Sequence, residues 1–171
     1  REIQDKLIVP KHQLVELTKG SLELGNLTVE PFSVSHDAAD PIGINVYSGK
    51  DKATVVTDTG VITDDILHRL DGSTLLVLEA NYDPQMLRFG PYQPFLKQRV
   101  ASDEGHLSNE MAAQALLMMK RPDFMQVILA HRSENNNNLV LVTQTIGQML
   151  VDGGVKIGPE MKLQHGQPNE I

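Results

Sequence analysis

Cysteine is absent from this chain. That one absence excludes disulfides, thiolate metal sites and a cysteine nucleophile together. No apolar run approaches the roughly 20 residues that cross a bilayer, so no membrane partner is expected. No cationic segment followed by an apolar stretch stands at the start, which leaves secretion unsupported and the cytoplasm as the default location. Positive charge is also short: 15 Lys and Arg against 22 Asp and Glu leave a formal net charge of −7. A chain-wide basic footprint for nucleic acid is thereby lacking. A local one stays open, because a bound divalent cation can draw phosphate to an acidic protein. What is present is the composition of a globular protein, with 40% hydrophobic and 22% charged residues. At 171 residues the chain can bury a real core, most simply in one domain.

The chain is organised around Leu27 to Gly60, which reads as three strands in series. Leu27, Val29, Phe32 and Val34 form an apolar run that stops at Ser35-His36-Asp37. Ile42, Ile44, Val46 and Tyr47 follow, then a Ser48-Gly49-Lys50-Asp51 turn, then Ala53 to Val56 ending at Thr57-Asp58-Thr59-Gly60. His36 and Asp58 therefore each stand where an apolar strand runs out into a loop. A strand fixes the direction of such a side chain and the loop leaves access to it. Histidine with aspartate is also a nitrogen-and-oxygen pair suited to Zn or Mn.

On either side the signals are coarser. Leu7 to Pro10 and Leu14 to Leu17 read as short strands. Thr63 caps a short helix through Leu70, with Asp64 and Asp65 in its first turn. Leu75 to Leu78 reads as a strand buried on both faces, ending at Glu79-Ala80-Asn81-Tyr82-Asp83. Pro84, Gly90, Pro91 and Pro94 predict a loop over 84–105 with a short helix near Phe95 to Val100. Ser108 caps the clearest helix, through Lys120. Phe124 to Ala130 reads as another buried strand ending at His131, and Leu139 to Leu150 as a helix. From Gly153 the chain is polar and reads as a tail. The order implies an α/β fold, a mixed sheet with helices packed on it.

Three strands thus end in a potential ligand, His36, Asp58 and His131, and His106 lies just before a helix N-terminus. Each has a plainer reading. A histidine at a strand end is more often structural than a ligand, and Asp58-Thr59-Gly60 could be a turn in which the glycine supplies positive φ. Asp37 and Asp40 could cap the loop before Pro41. Ser108 and Asn109 make a ready anion site, but serine caps helices with no ligand present. Lys97 and Arg99 could meet phosphate, although exposed cations usually do nothing specific.

Seven segments occur in one order: Ser35 to Pro41, Thr57 to Gly60, Glu79 to Asp83, Gly90-Pro91-Tyr92, Leu96 to Arg99, Gly105 to Asn109, and Ala130 to Asn136. Together they resemble the later part of the metallo-β-lactamase superfamily, specifically its YycJ/WalJ family of metal-dependent hydrolases, over about residues 27–152. The resemblance implies the C-terminal part of an αββα sandwich, with residues 1–152 as a partial domain and 153–171 as a tail. It implies two divalent ions, Zn or Mn: His36 a ligand of one, Asp58 a bridge between them, His131 a ligand of the other. The Gly105 to Asn109 segment is similar to the Gly-His-Ser-Thr segment of ribonuclease Z, which makes His106 a proton donor or phosphate contact. Ser108, Asn109, Ser133 and Asn136 would line the phosphate pocket, with Lys97 and Arg99 near the substrate. Arg132 departs from the leucine usual in the family.

The larger departure is that His-x-His-x-Asp-His, the superfamily's strongest motif, occurs nowhere between Arg1 and Ile171. With an opening at Arg1, this leads us to expect a C-terminal portion whose N-terminal half supplies the other sheet and most ligands. The piece alone would hold an incomplete metal site, one exposed sheet face and no activity. The implied activity of the intact protein is metal-dependent phosphodiester hydrolysis, as an exonuclease, with DNA ahead of RNA as substrate. A homo-oligomer is an option the sequence leaves open. The alternatives are a hydrolase of a small ester, thioester or lactam, or a non-catalytic regulatory module on the same fold.

Overall fold

A computed structural model describes residues 20–166 together with Pro10 and Val15. The two short strands expected near the start fall, apart from Pro10 and Val15, outside the described residues. Seven strands form one sheet in chain order. The first four, β1 (Leu22–Leu24), β2 (Leu27–Ser33), β3 (Ile42–Ser48) and β4 (Asp51–Val56), are an antiparallel meander. The others, β5 (Leu75–Glu79), β6 (Met125–Ala130) and β7 (Met161–His165), run parallel to β4 and to one another. Helices fill the crossovers: α1 (Asp64–Leu70) after β4; α2 (Pro84–Phe89), α3 (Pro94–Val100) and α4 (Asn109–Met118) after β5; α5 (Leu139–Asp152) after β6. This is the α/β mixed sheet with flanking helices that the residue pattern implied.

A side-chain cap starts every helix but α3 among the described residues. The hydroxyl of Thr63 accepts from Ile66 N, that of Ser108 from Met111 N, and the amide oxygen of Asn138 from Leu141 N. The main core lies between the sheet and α1, α4 and α5, with Leu70, Leu76, Leu78, Leu116, Met125 and Ile146 fully enclosed. Along β5 and β6 burial alternates instead of being uniform, so the expectation of two buried faces is corrected. The helix-facing residues are buried. On the other face Ile44, Val55, Val77 and Ile128 pair across neighbouring strands as an apolar row, half-buried or exposed among the described residues.

Two further expectations are corrected. Residues 84–89, read as loop from their flanking prolines and glycine, form α2. Asp83 Oδ1 accepts from the amides of Gln85 and Met86, and Pro84 occupies the first turn, where its missing N–H has no cost. The segment read as a polar tail holds β7, whose Met161 is buried against β6 at Met125. Its alternate polar residues face outward, which is why its mean composition hides a strand.

Candidate functional site

The C-terminal ends of β4, β5 and β6 carry Asp58, Glu79 and His131, one from each strand or the loop just past it. Parallel neighbours bring these ends side by side. The loops beyond are stitched by backbone bonds: Ala80 N donates to Ala130 O, Asn81 N to Leu107 O, Asn109 N to Tyr82 O and Ser133 N to Asn81 O. That stitching sets His106 beside the end of β5. The loop after β2 joins through Gly60 N to Ser35 O and Asp37 N to Glu104 O, which brings in His36.

Four side chains expected from the sequence therefore meet in space. His36 Nε2 lies 3.8 Å from Asp58 Oδ1, and His131 Nδ1 lies 3.6 Å from the same oxygen. The His106 ring stands between the other two imidazoles, with its centroid 5.1 Å from each. They border an open cavity of about 460 Å³. The turn reading of Asp58-Thr59-Gly60 is not what occurs. Asp58 itself takes positive φ (56°), and His131 does likewise (53°), the two non-glycine residues so strained among those described. Such conformations cost on the order of 1–3 kcal/mol and persist where the surroundings enforce them. Asn81 Nδ2 donates to His131 O at 2.7 Å, which holds one of them.

Beneath the histidines is Glu79, fully buried, to which the sequence reading gave no role. Its Oε1 is 2.7 Å from His106 Nδ1 and 2.8 Å from His131 Nδ1, and its Oε2 accepts from Thr59 N. Burial pushes its pKa up, but the bonds from His106 and His131 outweigh this and hold the carboxyl below its usual range. An ionised carboxylate only accepts, so both Nδ1 atoms carry protons and both Nε2 atoms are left as the free nitrogens. The same bond, opposed by burial and reinforced by the Glu79 and Asp58 charges, raises the pKa of His131. His36 reaches the same tautomer differently, donating Nδ1–H to Gly105 O at 3.0 Å. Gly105 is needed there, since a Cβ would fall 2.2 Å from Arg99 O. The signal for Glu79 was its place: a carboxylate ending an apolar strand between two strands that end in ligands.

The remaining expected residues are placed differently. Ser108 and Asn109 are buried away from the cavity. Ser108 caps α4, and Asn109 exchanges amide bonds with Asn137, whose Nδ2 also donates to Ala80 O and Asn81 O. Asn137, not foreseen, is thus the bracket beneath the loops. Ser133 borders the cavity, and its hydroxyl accepts from Asn136, which is itself buried. Arg99 borders the cavity but is paired with Asp37 through two bonds, and these bonds, opposed by desolvation, hold the Asp37 carboxyl below its usual range. Lys97 donates to Arg88 O.

The donor set suits a divalent cation. His36 offers an unprotonated Nε2, Asp58 is half-exposed, and His36, Asp58 and His106 present ligand atoms within 4.8 Å of one another. Imidazole and carboxylate without thiolate fit Zn or Mn. The second close group, Glu79 with His106 and His131, is bound up in short hydrogen bonds and positions the rings.

Comparison with known proteins agrees with this geometry. The model of the Beta-lactamase superfamily domain matches residues 2–131. The chain is 33% identical over 161 residues to exodeoxyribonuclease YycJ of Bacillus anthracis, covering 94% of this chain and 61% of that protein. It is 32% identical over 145 residues to exodeoxyribonuclease WalJ of Streptococcus pneumoniae, covering 85% and 54%. The chain thus spans little more than half the length of the curated relatives it matches. Among solved structures, the metallo-beta-lactamase fold protein YhfI from Bacillus subtilis superposes with a TM-score of 0.60 at 12% identity, over 86% of this chain and 50% of that one. Zn(2+)-bound PqqB from Methylobacterium extorquens does so with a TM-score of 0.54 at 16% identity, over 86% and 48%.

Proposed function

The chain belongs to the metallo-β-lactamase superfamily and is of its YycJ/WalJ type, and from that premise we propose that the intact protein is a metal-dependent phosphodiester hydrolase, an exonuclease acting on DNA. The observation that supports this most is the meeting of His36, Asp58, His106 and His131 at one cavity, over a buried carboxylate that sets the tautomers of His106 and His131. His36 and His131 would each hold a divalent ion, Zn or Mn, and Asp58, which lies between them, would be shared. When bound, such ions lower the pKa of a water and screen the charge of the attacked phosphate.

The chain's own residues supply the rest. Glu79 keeps a proton on Nδ1 of His106, so that Nε2 is the atom that takes up a proton from water and, as imidazolium, passes it to the leaving oxygen. It does the same for His131, whose ring, fixed in this way, would hold a cation through Nε2. The hydroxyl of Ser133 already accepts from Asn136 and retains its own hydrogen for a phosphate oxygen. Two four-coordinate ions require about eight donor positions. We therefore place the remaining ligands outside these 171 residues, and read the chain as the second half of a sandwich whose first half completes the site.

The test uses the full-length protein. His131→Ala and Asp58→Ala abolish hydrolysis of single-stranded DNA and leave the circular dichroism spectrum intact. Near-normal rates in either variant remove the assignment. A full-length protein that takes up no metal when replete in Mn and Zn is instead a non-catalytic module. One that prefers a small ester to DNA has a different substrate class.

A further inference from the structure

Phe89 and Phe95 are the most exposed large apolar side chains among the described residues, at 75% and 71%. Both sit on the hairpin of α2 and α3, and that hairpin is well fastened from beneath. Tyr82, Leu87 and Val100 form a small core of their own, with Tyr92 and Leu96 packed against it. Lys97 Nζ ties α3 to α2 through Arg88 O at 2.8 Å. The turn at Gly90 is pressed so closely that a Cβ would fall 2.5 Å from Met86 O and 2.8 Å from Asn136 Oδ1. The two phenyl rings are therefore held outward by an ordered support and are not left over from a loose loop.

Their surroundings select an occupant. Residues 84–102 contain Arg88, Lys97 and Arg99 and no Asp or Glu, in a chain whose net charge is −7. The Arg88 guanidinium lies over the Phe89 ring, 5.3 Å from its centroid. The same hairpin contributes Tyr92, Leu96 and Arg99 to the wall of the cavity that His36 and His131 border. Exposed rings beside Arg88 and Lys97, next to the proposed phosphodiester site, match a chain of bases and phosphates. A duplex hides its base faces, whereas unpaired bases stack on aromatic rings regardless of sequence.

We propose that Phe89 and Phe95 form a stacking surface for the unpaired bases of single-stranded DNA on its way into the cavity, with Arg88 and Lys97 facing its phosphates. The proposal rests on the nuclease reading for its choice of polymer. Its test is binding, not turnover. The full-length protein, held in chelator, is titrated against a fluorescent oligothymidylate and against a duplex of equal length, read by anisotropy. Replacing both rings by leucine (F89L with F95L) weakens single-strand binding about tenfold or more, while replacing both by tryptophan preserves it. Duplex binding is weak and the same in all three proteins. Equal single-strand affinity in the leucine variant and the wild type overturns the proposal, as does a tryptophan variant that loses binding with the leucine one. A leucine variant that binds DNA normally but no longer self-associates in sedimentation gives the patch to a protein contact instead. A wild type that binds the strand yet hydrolyses nothing once Mn or Zn is restored defeats the nuclease reading alone.

Discussion

Two polar clusters lie toward opposite ends of the parallel strands, and they are built on opposite terms. Toward the N-terminal ends, under α1, Lys52 Nζ donates to Arg69 O and Asp71 O, closing the last turn of that helix. Arg69 pairs with Glu30, which also accepts from the Tyr47 hydroxyl. Asn45, Thr54 and Ser73 are joined in a fully buried chain that ends on Leu70 O. Thr54 Oγ1 donates to Asn45 Oδ1 and Ser73 Oγ to Leu70 O, and the amide nitrogen of Asn45 is the one atom of the group without a partner. Every hydrogen bond there ends inside the protein. At the C-terminal ends, Glu79 draws the Nδ1 protons of His106 and His131 inward and Gly105 O draws that of His36, so that three Nε2 atoms remain for something outside, and two residues hold strained backbone there. A polar group buried and satisfied is architecture. One held in place with an atom left over is set for chemistry.

Substitutions can break that contrast. The largest effect falls at Asp58. Asp58→Gly removes the carboxylate and relieves the positive φ, so DNA hydrolysis by the full-length protein drops by about a thousandfold or more, while the urea midpoint holds or rises. A parallel fall in stability would mean that Asp58 is structural. Next comes Glu79→Gln, which keeps the volume but frees the ring tautomers. Metal affinity or rate falls about 10–100-fold, and stability falls with it because a buried network is left half-satisfied. Lys52→Met reverses the pattern: about 1–3 kcal/mol of stability is lost with α1's carbonyls unpaired, and the hydrolytic rate per folded molecule is unchanged. Measuring both quantities on one preparation separates the clusters.

The smallest effect sharpens the architectural side. Burial raises the pKa of Glu30, but the Tyr47 hydroxyl and the Arg69 guanidinium together hold it below the reference value of 4.5. Its contribution to stability is therefore present above about pH 4.5 and lost as pH falls through the lower folded value. Glu30→Gln flattens that part of an acid-unfolding curve, weakly, because the Arg69 pair is partly exposed and screened by salt. An unchanged acid limb would show the pair to be inert.

What could be read from the residues alone was whatever depends on near neighbours. Thr63 and Ser108 announce their helices because a cap is a contact three residues long, and the alternation through 27–56 gives three strands because pleating has period two. Asp83-Pro84 carried the same kind of signal for α2 and was outweighed by the prolines and glycine after it. His36, Asp58 and His131 stood out because each stands where an apolar run ends, and His106 because it lies just before a helix N-terminus. Glu79 ended one too, yet nothing within five residues says that it will receive two imidazoles from positions 27 and 52 residues further on. Likewise Ser108 and Asn109 looked like a phosphate pocket, yet the Ser108 hydroxyl accepts from Met111 N and Asn109 exchanges amide bonds with the distant Asn137.

The order of residues by itself thus determined the strand ends, the caps and the types of atom available for chemistry, since these follow from short-range sterics and periodicity. Which atoms face the cavity was decided only when three parallel strands aligned their ends. A tautomer or a strained φ is set by partners that are distant in the chain and adjacent in space, and that information does not exist until the sheet has formed.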